Sequence, residues 1–196
     1  AIISVTKGGK KKLCFTSGHG ERLLSDAGRE GLSQMKEELE ATRYQVEELV
    51  LLEKQAIPAD AEIVLLAAPR SAFLEPELKA LEAYVRGGGK LLVMIEPNSS
   101  ASMKAFLAKF GAEWKPNKVI LETNSLQQLA GGNPLAPIIA SYDKSSDITK
   151  DLNQISLFPI ASPIEKTKEV PAGMKVTSLF STSPRSMEVE LKGNKV

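Results

Sequence analysis

Apolar residues recur along this chain in two rhythms, one of period two and one of period three to four. Lys12-Leu13-Cys14-Phe15-Thr16 is a short apolar run that stops at Ser17-Gly18-His19-Gly20, which predicts a strand followed by a tight turn. From Ser25 to Ala41, Leu32, Met35 and Leu39 return at spacings of three and four among charged neighbours, the signature of an amphipathic helix. Tyr44 to Leu49 alternates and reads as a strand with one wetter face. Ile63-Val64-Leu65-Leu66-Ala67-Ala68 and Lys90-Leu91-Leu92-Val93-Met94-Ile95 are continuous apolar runs, suited to strands covered on both faces. Between them, Leu78, Leu81 and Val85 mark a helix that begins near Leu74-Glu75-Pro76-Glu77 and stops at Gly87-Gly88-Gly89. A third helix is expected over Ala101 to Phe110, capped by Ser99 or Ser100 and ended by Gly111.

Strands and helices alternating from Lys12 to Gly111 predict an α/β domain with an open, mostly parallel, doubly wound sheet. Past Trp114 the pattern thins. Strands are expected at 118–122, 136–142, 158–160, 176–180 and 187–191, with a turn at Gly131-Gly132-Asn133-Pro134 and a short helix capped by Asp147. The chain is thus expected to form one domain over 1–196, its core at about 11–123 and a β-rich elaboration at about 124–196.

Lys plus Arg (25) nearly cancels Asp plus Glu (24), and aromatics are only 5%, so nucleic acid is not an expected partner. The single cysteine, Cys14, excludes an internal disulfide and a Cys-rich zinc site. No run of about 18 apolar residues exists to span a bilayer. The opening Ala1-Ile2-Ile3, without a starting Met, is expected to be a cut from a longer protein.

Ser17-Gly18-His19-Gly20-Glu21 stands where the first strand hands over to the first helix, the edge at which open parallel sheets bind ligands. It reads either as a turn needing positive φ with His19 as a local brace, or as a site where glycines admit a ligand closely. Pro69-Arg70 and Glu96-Pro97-Asn98 follow the next two apolar strands. A parallel sheet would bring His19, Glu21, Arg70 and Glu96 toward one crevice. Neither phosphate-loop pattern is present, and neither is a G-x-S-x-G elbow. No catalytic set, metal site or cofactor is therefore expected. A hydrolase or transferase using His19 with Glu21 or Glu96 remains the enzymatic alternative, and an oligomerising scaffold the structural one. Lys10-Lys11-Lys12, after Gly8-Gly9, reads as a solvated strand entry or as a contact for anionic lipid.

The same residues carry a resemblance. Leu13 to Glu21 with its Gly18-His19-Gly20-Glu21 turn resembles the opening of the auxiliary, substrate-binding component of uncharacterised ABC-type transport systems, a family that includes gliding-motility GldG-like proteins. Ile57 to Val64, Ala68-Pro69-Arg70 and Glu77 to Val93 resemble its next segments, and so do Tyr142 to Leu152, Phe158 to Ala161 and Ser181 to Ser186 further on. One departure is Ser145-Ser146-Asp147 before Ile148-Thr149, where the family often has a His. The resemblance implies a core similar to the class I glutamine amidotransferase-like and flavodoxin-like folds. It also implies a periplasmic or otherwise extracytoplasmic setting, a membrane anchor in flanking segments, and partnership with an ABC permease and ATPase. The strand-end crevice, with Gly18, His19, Gly20, Glu21, Pro69, Arg70, Glu96 and Asn98, is then where a ligand (a small molecule or glycan) or a partner protein is expected to bind. Ile95-Glu96-Pro97-Asn98 stands where the amidotransferases carry a nucleophilic Cys, so their chemistry is not implied.

Overall fold

The computed structural model describes residues 11–54, 56–123 and 132–191. The expectations for Ala1-Ile2-Ile3, Gly8, Gly9, Lys10 and Gly131 lie outside those residues. The chain divides into two compact units, Ala1–Ile95 and Glu96–Val196. The apolar pattern puts the change from core to elaboration near residue 123, whereas the contacts change over at Ile95 and Glu96.

The first unit runs β1 (Lys12–Thr16), α1 (Ser33–Ala41), β2 (Gln45–Leu49), α2 (Leu51–Lys54), β3 (Ala61–Ala67), α3 (Glu75–Arg86) and β4 (Lys90–Met94). Its strands form one four-stranded sheet in the order β2-β1-β3-β4, and every neighbouring pair is parallel. Leu13 stands opposite Val46 and Ile63, and Phe15 opposite Glu48 and Leu65. Side chains alternate across a strand, so each register fixes two faces. On one face Leu13, Phe15, Leu24 and Leu65 form a buried cluster, against which Leu32, Met35 and Leu39 of the α1 region pack. Cys14, Val64 and Leu66 point the other way and are also almost wholly buried. The central strands are therefore covered on both faces, the reason their sequence is apolar without alternation. Leu81 in α3 is fully buried, and the Tyr84 hydroxyl donates to the Ala61 carbonyl (3.1 Å), tying that helix to the start of β3.

The periodic stripe predicts α1 from Ser25, but the helix begins at Ser33. Asp26 Oδ1 accepts the Gly28 amide (2.7 Å), and the Gly31 amide donates to the Gly28 carbonyl (3.0 Å), so tight turns occupy the first part of the stripe. A Cβ at Gly31 would lie 1.9 Å from the Asp26 carbonyl oxygen, a packing only glycine permits. The basic entry to β1 is matched by carboxylates. Lys12 pairs with Asp60 (2.7 Å) and Glu47 (3.4 Å), and Lys11 with Glu62 (3.4 Å), which favours a solvated strand entry over a lipid contact.

The second unit holds α4 (Ser102–Ala108), β5 (Ala112–Trp114), β6 (Lys118–Leu121), β7 (Ile138–Ile139), β8 (Ser156–Leu157), β9 (Ile164–Lys166) and β10 (Met187–Glu190). Ala101, not Ser99 or Ser100, is the residue before α4, and the Ser99 hydroxyl accepts the Glu96 amide instead (2.9 Å). The strands pair antiparallel as β6 with β10, β5 with β9 and β7 with β8. The strand expected over 136–142 shrinks to two residues, and that over 158–160 moves to Ser156–Leu157. Over 176–180 only a bridge between Phe180 and Tyr142 forms. No helix forms at Asp147. The Ser146 carbonyl accepts the amides of Thr149 (3.1 Å) and Lys150 (2.8 Å), and Lys144 Nζ then takes the Lys150 carbonyl (3.2 Å) that a longer helix would need.

Polar anchors hold this unit where strands are short. The buried Trp114 indole donates to Ser162 Oγ (2.8 Å), and the buried Glu122 carboxylate accepts the hydroxyls of Ser183 (2.7 Å) and Ser186 (3.0 Å). Glu188 receives the ammonium groups of Lys115 and, at 3.1 Å, of Lys118, which hold its carboxyl below the usual range.

Leu66→Ala should lower the unfolding free energy by about 2–5 kcal/mol, whereas Leu92→Ala, on a half-exposed position of β4, should cost under about 1 kcal/mol. Urea titration of both variants checks this, and equal losses would contradict a two-face core. A depressed carboxylate pKa stabilises the fold above the unfolded value of about 4.3 and loses that contribution as pH falls through the folded value. The stability difference between the wild type and Glu188→Gln should accordingly be full near pH 6 and fade at more acidic pH. A difference that stays constant into the acid range would remove the ion pairs as its source.

Candidate functional site

Parallel pairing places the ends of β1, β3 and β4 along one edge of the sheet, at Thr16, Ala67 and Met94. The chain leaving β1 turns at Gly18 (φ 109°) and Gly20 (φ 72°), in the region that favours glycine. Between them the His19 carbonyl accepts the amides of Arg70 and Ser71, both at 2.8 Å, and the Arg22 amide donates to the Ala67 carbonyl (3.0 Å). The loop after β1 is thus stitched to the loop after β3. A Cβ at Gly20 would approach the Arg70 Cβ to 3.4 Å, in addition to the strain of its φ.

The His19 ring folds inward rather than outward. It stacks on Phe73 with centroids 3.9 Å apart and planes inclined by 24°. Its Nε2 lies 3.0 Å from Glu77 Oε2, and its Nδ1 lies 3.6 Å from Glu21 Oε1. Glu21 Oε2 accepts the His19 amide (2.6 Å), and Glu77 Oε2 also accepts the Leu74 amide (2.8 Å). Side-chain exposure is 11% for His19, 1% for Glu21 and 3% for Glu77. Thr16 Oγ1, His19 Nδ1, Glu21 Oε1 and Glu77 Oε1 are buried and have no hydrogen-bond partner among the described residues. Buried polar atoms in folded proteins ordinarily find a partner in protein or ordered water.

Glu77 also borders a groove of about 370 Å³ whose other lining residues are Leu51, Leu52, Leu74, Pro76 and Ala80. The groove lies between α2, which follows β2, and the first turn of α3. Leu52 and Leu74 remain largely exposed at its rim. On the outer side of the same edge, Arg22 Nη1 donates to the Glu30 carbonyl (2.7 Å), and Arg70 Nη2 reaches Glu30 Oε2 (3.5 Å).

The residues expected at the site from the sequence therefore differ in their fates. Gly18, His19, Gly20, Glu21 and Arg70 come together at the edge of the first unit, with Arg70 exposed and Glu21 buried. Pro69 is fully buried, so it shapes the turn and presents no surface to a ligand. Glu96 and Asn98 open the second unit, where the Ser99 amide donates to the Glu96 carbonyl (2.9 Å) and Asn98 is exposed. Phe73 and Glu77 are absent from the expected set. Leu74-Glu75-Pro76-Glu77 signals a helix start, and its third-position carboxylate is suited to bond back to the Leu74 amide. Nothing local signals that the same carboxylate also meets His19, 58 positions away.

Cys14 is buried in mid-strand, and burial pushes its thiol pKa up, which disfavours the thiolate a nucleophile needs. Among the described residues, no three His, Cys, Asp or Glu side chains converge as a metal site. No helix of the described residues is long and apolar enough to cross a membrane.

Comparison with known proteins places this architecture. The chain belongs to the auxiliary family of the ABC-type uncharacterized transport systems, whose model matches residues 10–193. Its membership makes it an auxiliary component of such a system. No curated protein matches the chain in sequence. Among solved structures, the chain is similar to the mmIFT52 N-terminal domain, with TM-score 0.63, 16% identity, and coverage of 89% of this chain and 74% of that one. It is also similar to a ThuA-like protein from Bacteroides uniformis, with TM-score 0.50, 16% identity, and coverage of 91% and 70%. At that identity the likeness is one of fold.

His19→Ala removes the ring between two buried carboxylates and should cost about 3 kcal/mol of stability. Denaturant titration checks it, and a loss below about 0.5 kcal/mol would mean that the ring is no brace.

Proposed function

We propose that this chain is a non-enzymatic, extracytoplasmic accessory domain of its ABC-type transport system, which binds at the carboxyl edge of the four-stranded sheet and works beside the permease and ATPase. In this reading, segments flanking the domain hold it at the membrane, and the GldG-like proteins of gliding motility are its nearest functional kin. The first unit is then a glutamine amidotransferase-like core that has kept the binding edge and lost the nucleophile. The fold likeness to the ThuA-like protein supports that core.

The observation that carries the reading is the engagement of His19. Both of its ring nitrogens face buried carboxylates, and its face is covered by Phe73. A general base must reach the proton it abstracts, and this imidazole is turned away from the rim. Arg70, which pairs with Glu30, and the exposed Leu52 and Leu74 are what the edge offers a partner, a cation and two apolar side chains.

Affinity capture from cells producing the complete transport system tests the proposal. The tagged protein should retain the permease and ATPase, and Arg70→Glu should reduce that retention by tenfold or more. Retention that is absent in the wild type would remove the transporter role, and retention unaffected by Arg70→Glu would remove this edge from it.

A further inference from the structure

Strand β4 has the apolar sequence of a covered strand but stands at the margin of its sheet. The order β2-β1-β3-β4 gives it one strand neighbour, β3, and none on its other side. The Met94 carbonyl accepts the Ala68 amide (2.9 Å), so Met94 turns its backbone groups toward β3. These groups alternate in direction along a strand. Leu92 and Lys90 therefore face β3 as well, while the N–H and C=O of Leu91 and Val93 face outward. Among the described residues, no backbone partner takes them. An unpaired edge of this kind is a template for another strand, and proteins ordinarily blunt it with charged side chains.

Strand β2, at the opposite margin, is blunted in that way. It reads Gln45-Val46-Glu47-Glu48-Leu49, with Glu47 at its centre. Strand β4 reads Lys90-Leu91-Leu92-Val93-Met94, and its one charge stands at the end, where Lys90 pairs with Glu62. The register aligns Phe15, Leu65 and Leu92 in one row across three strands. Phe15 and Leu65 are buried, whereas Leu92, the last of the row, is 46% exposed. The apolar row thus runs out of cover at the strand whose outer backbone is unpaired.

We propose that β4 pairs antiparallel with β4 of a second copy of this chain, about a two-fold axis at Leu92. The strand is complementary to itself. An axis there sets Leu91 of each copy opposite Val93 of the other, and the two exchange both backbone hydrogen bonds. The two Leu92 residues form the closer, non-hydrogen-bonded pair between them, which extends the apolar row across the axis. Lys90 falls opposite Met94, and the two Lys90 positions are offset by about 13 Å along the ladder, beyond a Debye length in physiological salt. The same symmetry applied to β2 would set Glu47 directly against Glu47, a destabilising pair. Two-fold pairing also closes on itself, giving a dimer and no filament. The pairing lies apart from the carboxyl edge and holds or fails independently of the transporter role.

Sedimentation-velocity ultracentrifugation of the 196-residue chain, over about 1 μM to 1 mM protein, reads the association. One strand against one strand is a small interface, so a reversible, concentration-dependent dimer is expected. Leu92→Glu brings two carboxylates together at the axis and should weaken the dimer tenfold or more. Leu92→Cys should give a disulfide-linked dimer under mild oxidation, because paired Cα atoms about 4.5 Å apart suit a disulfide, whereas Glu47→Cys should not. The buried Cys14 should leave the wild type unlinked. This cross-link decides the matter should Leu92→Glu fail to fold. A chain that stays monomeric throughout the series, a dimer untouched by Leu92→Glu, or equal cross-linking of the Leu92→Cys and Glu47→Cys variants would overturn the proposal.

Discussion

The parallel ladder between β1 and β3 is the constraint on which the first unit depends. Pairing Leu13 with Ile63 and Phe15 with Leu65 sends one set of side chains under the α1 region and the alternate set, Cys14, Val64 and Leu66, to the opposite face. A slip of one residue would exchange the two sets and expose or bury the wrong partners on both sides. The same ladder carries the chain exits after Thr16 and Ala67 to one edge. Without it, Gly18-His19-Gly20 and Pro69-Arg70 would be unrelated loops rather than a pair joined by backbone hydrogen bonds.

Charge burial sets the character of that edge. His19 reaches Glu77 in α3 and faces Glu21 in its own loop, while Phe73 closes its ring face. Three segments of the first unit therefore meet at one imidazole. The arrangement leaves four buried polar atoms without a hydrogen-bond partner among the described residues. Glu77 of this cluster also borders an apolar groove between α2 and α3.

The second unit is held differently. Its strands are two to four residues long and pair only in twos, too short to bury a continuous apolar face. Side-chain anchors replace the missing ladder: Trp114 on Ser162, and Ser183 with Ser186 on the buried Glu122. The Ser181-Thr182-Ser183-Pro184-Arg185-Ser186 block has its structural reason here, since two of its hydroxyls donate to the buried Glu122 carboxylate.

Local sequence settled most of the first unit and little of the second, and the cause is the length over which each signal is written. Val64-Leu65-Leu66 and Leu91-Leu92-Val93 announce central strands because burial on both faces demands apolar residues at every position. Helix α3 is announced by Pro76, its early acids and the glycines after Arg86. The late start of α1 was hidden, since the stripe of Leu32, Met35 and Leu39 fits a longer helix as well and only the Asp26 turns cut it short. In the second unit, two-residue strands such as Ile138–Ile139 fall below any periodic signal. The Gly18-His19-Gly20-Glu21 turn was legible as a special place, but not as a buried one. That Glu77 and Phe73 enclose its histidine was decided by tertiary structure alone, because contacts between residues tens of positions apart leave no pattern in the residues beside either one.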